Sequence, residues 1–472
     1  MLIRLFRGLF GAKPQLTEAV GEDEDAAERR YRLKLESDPD NAEALAQLGF
    51  LQYQRLDGEA ARETLARRIR AHGDTATRVR RALMGVSALN GSAQDIERVR
   101  LRLDVELEEL LAQPLAPVKR PEREIAMTLF YLAYHGENDR DLMAKFARLV
   151  RKVYPAAQTA PARSRGAAKL RIGFVSTYFH LHSISRTTIG LVRGLDRRRF
   201  EVHVFAIAPN DDPMAARVAA AADFYHRLPA AMDAVRQAIA QARLEVLFFA
   251  DLGMHPLTYF LAFWRLAPVQ MATWGHPVTT GIDTVDYFLS SAGLEADGAQ
   301  SHYSETLVRL PAFFQPAYER PALRGAPRPR AHFGLPAQAH LYLCAQNPFK
   351  LHPDFDAALR AILERDALGR IVLLAPEQES WTHRLESVVT LPAPYVRGRF
   401  TLAMYREMEI ADCIAASPED YAAIALRLGC EPDFRAAVSA RIRDASERLF
   451  ERPDAARELG RALPELAQFR AS

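Results

Sequence analysis

Residues able to do chemistry gather in four loops, and each loop follows a run of apolar residues. The first loop is Ser176-Thr177-Tyr178-Phe179-His180-Leu181-His182-Ser183, after KLRIGFVS (169–176). It offers hydroxyls and His182 just ahead of a helical stretch whose N-terminus can hold an anion. His182 suits a general base or a hydrogen-bond donor to a sugar, and equally a helix cap or a packing residue. A second run, LEVLFFA (244–250), leads to His255. A third, PVQMATW (268–274), opens into Gly275-His276-Pro277-Val278-Thr279-Thr280-Gly281. Its backbone N–H groups, two hydroxyls, one imidazole and few bulky side chains suit a phosphate or a sugar ring. His255 and His276 are either ligand contacts or satisfied loop histidines. The fourth loop, Gln346-Asn347-Pro348-Phe349-Lys350, follows LYLCAQ (341–346). Lys350 is a solvated lysine or a point charge that neutralises a diphosphate leaving group.

Other chemistries lose ground. The run 169–176 is not followed by GxGxxG, so a dinucleotide fold lacks the glycines that let its backbone approach a pyrophosphate. HExxH, CxxC, P-loop and GxSxG patterns are missing, which argues against a metalloprotease, an ATPase and a serine hydrolase. The carboxylates form no paired-acid motif, and the basic stretch 162–171 reads as a solvated linker.

These loops need strands and helices to position them. Apolar strands are expected at 169–176, 199–207, 244–250, 268–274 and 285–289, with helices at 185–195, 213–222, 230–242 and 256–266. Alternation of this kind indicates a parallel, doubly wound sheet. A Pro/Arg-rich stretch (310–338) crosses to a second α/β unit with strands at 341–346, 370–376 and 387–394, and helices fill 399–470. The second unit thus has about three strands, where a sheet usually has ~5–6.

Ahead of both units, residues 1–25 read as a mobile lead-in and 26–154 as helix throughout. Within 38–69, Leu45, Leu48-Gly49, Ala61 and Leu65 fall near tetratricopeptide spacing, a helix-turn-helix that stacks on its neighbours. One clear unit is too few to stand alone, so this region is expected to pack on the α/β unit C-terminal to it. Residues 155–168 form a Pro/Ala/Arg linker, 169–325 the first Rossmann-like half, and 326–472 a second, shortened half with C-terminal helices.

A chain of 472 residues with 49% apolar and 26% charged residues is that of a globular protein with a large core. Net charge of +3 is too small and dispersed to argue for nucleic acid. Cys344, Cys413 and Cys430 lack metal spacing and fit a reduced, cytoplasmic setting. The stretch MLIRLFRGLFGAK is too short to span a bilayer and has no cleavage site of a signal peptide.

The ordered set LRIGFVSTYFHLHSISR (170–186), HPLTYFLAFWRLAPVQMATWGHPVTTGIDTVDYFLSS (255–291), HYSETLVRLP (302–311), LYLCAQNPFKLHPDFD (341–356) and VVTLPAPYVRGRFTLAMYREM (388–408) resembles the bacterial branch of the protein O-linked N-acetylglucosamine transferase / SPINDLY family. The resemblance spans about 120–450. It implies an α/β fold of GT-B type, two Rossmann-like halves with a nucleotide sugar, usually UDP-linked, in the cleft. It further implies attack by a Ser or Thr hydroxyl of a protein acceptor, with inversion and with no metal or other cofactor. His182 resembles the family's cleft histidine near sugar and acceptor, and Lys350 its lysine beside the departing diphosphate. Gly275, His276, Pro277, Thr279 and Thr280 resemble the residues lining the donor, and Gln346 and Asn347 those beside the nucleotide; His255 is assigned to substrate binding with them.

The family has two further strand–helix units between the segments equivalent to 370–376 and 388–392, ending in a Gly-(His/Asn)-Thr-Thr/Ser helix start that grips the donor phosphates. Only EQESWTHRLES (377–387) stands there, so the C-terminal half carries an apparent internal deletion. The expectation is a UDP-sugar hexosyltransferase acting on Ser/Thr of proteins. The alternative is an inactive relative that binds peptides in the groove of its helical region.

Overall fold

The computed structural model describes residues 24–156, 168–311, 326, 328–344, 346–373, 395–450, 452 and 454–469. The expected strand at 387–394 lies outside these, as do most of the linker 155–168 and residues 1–23 of the expected lead-in 1–25, whose last two residues begin the first helix.

Helices open the chain: α1 (Glu24–Ser37), α2 (Ala42–Gln54), α3 (Gly58–His72), α4 (Thr75–Leu83), α5 (Ala93–Ala112), the short α6 (Pro121–Glu124), a 3-10 turn at Phe130–Tyr134, and α7 (Arg140–Val153). Four begin where the side chain of Asn41, Asp57, Asp74 or Ser92 accepts a first-turn backbone N–H, which satisfies a donor the helix cannot. Helices α2 and α3 pack together across the turn Arg55-Leu56-Asp57, and Leu45, Leu48, Ala61 and Leu65 are all buried there. The buried stripe of α7 recurs every three or four residues: Leu142, Phe146, Leu149, Val150 and Val153.

That stripe sits on the following domain, as expected of a helical array too short to stand alone. Phe146 stacks on Tyr259 at 5.6 Å, and one apolar cluster runs from Phe50 to Phe288 without a break. Gly281 marks how close the contact is. Its φ is +71°, and a Cβ there would lie 2.3 Å from the Met143 carbonyl oxygen.

The first α/β domain is a seven-stranded parallel sheet in the order β3-β2-β1-β4-β5-β6-β7. The strands are β1 (Leu170–Ser176), β2 (Phe200–Ile207), β3 (Phe224–Leu228), β4 (Val246–Phe249), β5 (Val269–Thr273), β6 (Tyr287–Ser291) and β7 (Thr306–Leu310). Their connections are α8 (Ser183–Gly194), α9 (Pro213–Ala221), α10 (Met232–Ala242) and α11 (Pro256–Leu261). Ile172 pairs with Val202 on one side and Val246 on the other, so β1 is central. Central strands are buried on both faces, which is why they read as unbroken apolar runs.

Several boundaries move. Helix α11 ends before 266, because the Ala262 carbonyl is taken by the Thr284 hydroxyl at 2.6 Å instead of continuing the helix. Strand β6 starts two residues later than 285, since the Val285 N–H turns back to Ile282. The strands β3 and β7 were not expected. FYHRL and TLVRL lie at the two edges of the sheet, half-exposed, and lack the apolar run of a central strand.

The second unit is smaller. Strands β8 (His340–Cys344) and β9 (Gly369–Leu373) pair in parallel, linked by α12 (Asp356–Arg365). Helices α13 (Phe400–Glu407), α14 (Pro418–Cys430), α15 (Pro432–Ala445) and α16 (Asp454–Phe469) follow. Of these, α14 packs on α12 and β8. The C-terminal helix α16 returns instead to the first domain, where Ala455, Leu459 and Leu463 join the cluster of Leu195 and Phe200. Residues 395–407 do the same: Val396 and Ala403 enter that cluster, and Arg399 Nε donates to the Leu294 carbonyl at 2.9 Å. By sequence order both stretches belong to the second half. In the fold they clasp the first.

Candidate functional site

Strand order reverses between β1 and β4, and the crevice beyond their C-terminal ends is where doubly wound sheets take ligands. The loops there are fastened together. Asp251 Oδ2 accepts from the Thr177 N–H at 3.1 Å and from the Thr177 hydroxyl at 2.7 Å. Asp251 is fully buried, and burial raises its pKa to about 6 despite those two bonds.

Two of the expected histidines meet at this point, around Tyr178. The His182 ring stacks on Tyr178 at 4.4 Å, and the His255 ring meets Tyr178 edge-on at 6.4 Å. Each histidine precedes a helix and caps it. His182 Nδ1 accepts from the Ile184 N–H at 3.2 Å, and His255 Nδ1 accepts from the Leu257 N–H at 3.1 Å. An Nδ1 that accepts leaves the proton of a neutral imidazole on Nε2. Burial lowers both pKa values to about 4, with His180 adding its repulsion at His182. At neutral pH the pair therefore presents two Nε2–H donors. Capping and ligand binding are compatible, since they use opposite nitrogens, but the arrangement favours a donor over a general base.

The loop after β5 forms the adjoining wall. A Cβ on Gly275 would lie 1.9 Å from the Ala250 carbonyl oxygen and 2.8 Å from Ile184 Cδ1, so only glycine lets the loops after β4 and β5 close. Gly275 and Pro277 stay half-exposed. His276 is buried, its ring stacked on Phe130 at 5.0 Å. Thr279 and Thr280 are buried and bonded within the protein. The Thr279 hydroxyl donates to Glu305 at 2.6 Å, the Thr280 N–H donates to Glu305 at 2.7 Å, and the Thr280 hydroxyl accepts from Ile282. These bonds hold the loop in shape.

The fourth loop comes from the second unit. Asn347 caps a 3-10 turn, Pro348–Lys350, by accepting from the Phe349 N–H. Phe349 packs edge-on against Tyr134 at 4.9 Å, Tyr131 at 5.7 Å and Phe130 at 5.8 Å. Phe130 thus touches both Phe349 and His276, and links the loop of Lys350 to the loop after β5. His352 Nε2 also lies 3.2 Å from the His135 carbonyl. Lys350 is exposed, yet the protein around its ammonium group desolvates it enough to lower its pKa. Gln346 is exposed beside it.

Sequence reasoning missed Asp251, Tyr178, His180 and Phe130 as parts of this site. Asp251 stood in plain view, a carboxylate directly after a fully apolar strand. His180 is 5% exposed with neither ring nitrogen bonded among the described residues, a polar group left unmet at the crevice. Phe130 gave no signal, because its partners Phe349 and His276 lie far along the chain.

A parallel sheet whose strand order reverses, joined to a second α/β unit, defines a two-unit, doubly wound α/β architecture. Residues 139–318 match the family model of Glycosyl transferase family 41. Over 211 residues the chain is 28% identical to the probable UDP-N-acetylglucosamine--peptide N-acetylglucosaminyltransferase SEC of Arabidopsis thaliana, covering 43% of this chain and 22% of that protein. Over 133 residues it is 32% identical to the UDP-glucose:protein N-beta-glucosyltransferase of Actinobacillus pleuropneumoniae serotype 7, covering 25% of this chain and 19% of that protein. The chain thus matches about a fifth of the length of these curated relatives. A solved structure of a Thermobaculum terrenum O-GlcNAc transferase mutant superposes with a TM-score of 0.68 at 21% identity, covering 95% of both chains. That likeness establishes the GT-B fold. Residues 139–318 are thus a family 41 segment, similar to proteins of the O-linked N-acetylglucosamine transferase / SPINDLY kind.

Proposed function

We propose that this protein transfers a hexose, N-acetylglucosamine or a relative, from a UDP-sugar to a Ser or Thr side chain of a protein acceptor. The acceptor oxygen attacks the anomeric carbon, and its proton passes to an oxygen of the departing diphosphate. The bond from that carbon to the diphosphate breaks, and UDP departs with the electron pair. Lys350 meets the negative charge developing on the diphosphate, as a fixed cation in a partly desolvated place. His182 and His255 donate Nε2–H bonds to sugar or acceptor hydroxyls and fix their orientation. Gly275 and Pro277 leave room for the sugar, and Gln346 and Asn347 lie beside the nucleotide.

The observation that carries this reading is the convergence of His182 and His255 at the switch point of a sheet belonging to a glycosyltransferase family. The three cysteines form no disulfide, which fits a cytoplasmic protein, and no helix among the described residues is long and apolar enough to cross a membrane. The test is transfer of radiolabelled sugar from UDP-sugars to a panel of proteins by the full chain. Labelling that disappears with Lys350→Met is the expected result. Absence of labelling from a folded protein that binds no UDP would overturn the reading.

A further inference from the structure

Away from the crevice, the second unit carries a cluster that the proposed reaction does not use. His340 opens β8, Asp366 lies between α12 and β9, and Cys430 ends α14. One ligand atom from each lies within 4.8 Å of the others. His340 Nδ1 is 2.8 Å from Asp366 Oδ2, Cys430 Sγ is 3.7 Å from the same Nδ1, and Sγ is 3.6 Å from the same Oδ2. We propose that His340, Asp366 and Cys430 form a zinc site that clamps the second unit.

The geometry separates a metal site from a nucleophilic triad. In a triad the imidazole stands between acid and thiol and uses both ring nitrogens. Here carboxylate and thiol both address Nδ1, so the three atoms surround a point rather than form a relay. Tetrahedral zinc, with bonds of about 2.0 Å to nitrogen or oxygen and about 2.3 Å to sulfur, sets its ligands about 3.3 Å apart for N and O, and about 3.6 Å when one is S. The two sulfur distances already match. Asp366 and His340 need to part by about 0.5 Å, as the proton between them is replaced by the ion.

The supporting shell is present. The Tyr342 hydroxyl donates to Asp366 Oδ2 at 2.8 Å, and the Leu368 N–H donates to Asp366 Oδ1 at 3.0 Å, so the carboxylate is oriented from both sides. Gly429 brings Cys430 in. A Cβ there would lie 2.3 Å from the Tyr342 hydroxyl, and any side chain would push the end of α14 away. His340 and Tyr342 also line a cavity of about 360 Å³ with Gly429, Phe355, Ile362 and Tyr421, so the site is approached from open space on its His340 side. Thiolate, imidazole and carboxylate together suit zinc among the common divalent ions.

The clamp has a structural purpose. Among the described residues the second sheet has two strands, and two strands alone are marginally stable in water. An ion held by β8, the α12–β9 turn and α14 ties together elements that a small core holds weakly.

The untagged full chain, stripped by a chelator, is titrated with Co²⁺ as an optical probe and then with Zn²⁺. Expected are one equivalent of Co²⁺ bound with a thiolate charge-transfer band, displacement of that band by Zn²⁺, and a zinc-dependent rise in melting temperature. Cys430→Ser abolishes the charge-transfer band and His340→Gln weakens binding at least tenfold, while Cys413→Ser changes neither. Less than stoichiometric binding by the wild-type chain overturns the proposal without any variant. A band that persists in Cys430→Ser overturns it as well. Sugar transfer is not read in this experiment, so its outcome stands apart from that of the proposed function.

Discussion

Asp251 and Thr177 are joined twice, through the backbone N–H and the hydroxyl of Thr177, across the point where the order of the first sheet reverses. The bond is the floor of the candidate site. It pins the β1 loop, which carries Tyr178 and His182, to the β4 loop, which carries His255.

This carboxylate has a cost that pH can reveal. Its folded pKa of about 6 lies above the ordinary 3.8, so the folded state holds a proton more tightly than the unfolded chain. The associated stability is present below about pH 4 and is lost as pH rises through 6, roughly 3 kcal/mol at most by linkage. Asp251→Asn removes this slope. Denaturant midpoints measured from pH 4 to 7 are expected to differ in pH dependence between wild type and variant. Parallel curves would show that Asp251 is not held protonated.

His182 does two jobs, and a pair of substitutions separates them. His182→Ala removes the cap of α8 and the Nε2–H donor together, costing about 1 kcal/mol of stability and ~10²-fold or more in transfer. His182→Asn supplies a good cap in place of the imidazole, so stability recovers while transfer does not. Thermal melts and initial rates on the same preparations check this. Recovery of the rate with Asn would reduce His182 to a capping residue. Between pH 6 and 8 the wild-type rate is not expected to follow ionisation of His182, whose pKa near 4 keeps it neutral throughout.

The first domain was legible because its inner strands announce themselves: VLFF is buried and apolar throughout, and FEVHVFAI is nearly so, with Glu201 and His203 its polar residues. Its edges were not, because FYHRL and TLVRL are half-exposed, short and each interrupted by an arginine. His182, His255 and Gly275 could be placed because they follow such strands directly. Their surroundings could not. The bonds of Glu305 to the Thr279 hydroxyl and the Thr280 N–H, some 25 residues back, were not visible in the sequence. Cys430 looked like a lone thiol because its neighbours His340 and Asp366 lie 90 and 64 positions away, beyond any local spacing. The return of α16 to the first sheet was hidden for a similar reason. Its apolar stripe shows that it packs, and says nothing about where.

Lys350 is tied to the site by Phe349 and its three aromatic partners, which fixes the turn while leaving the lysine side chain to act. Lys350→Met is therefore expected to keep the fold and the melting temperature, and to lower transfer by ~10²–10³-fold. UDP binding measured by calorimetry weakens as well, because the free product carries the charge that Lys350 meets. Unchanged UDP affinity in this variant would place the diphosphate elsewhere.

Arg265 and Asp286 form an ion pair of a different kind. Arg265 Nη1 lies 2.7 Å from Asp286 Oδ2, and the side chains are 4% and 3% exposed. The same carboxylate oxygen accepts from the Gln270 N–H at 2.9 Å, so the pair locks the start of β5 to the start of β6. Removing one member leaves the other charge buried without its main partner, which costs ~3–5 kcal/mol. Asp286→Ala is expected to lose that much in urea unfolding, and Arg265→Met somewhat less, because a long apolar side chain refills the volume and Asp286 keeps its backbone donor. The double variant Arg265→Met/Asp286→Leu is expected to recover much of the loss, since no stranded charge remains. A sum of independent losses in the double variant would mean that the two residues stabilise the sheet separately and that the pair itself contributes little.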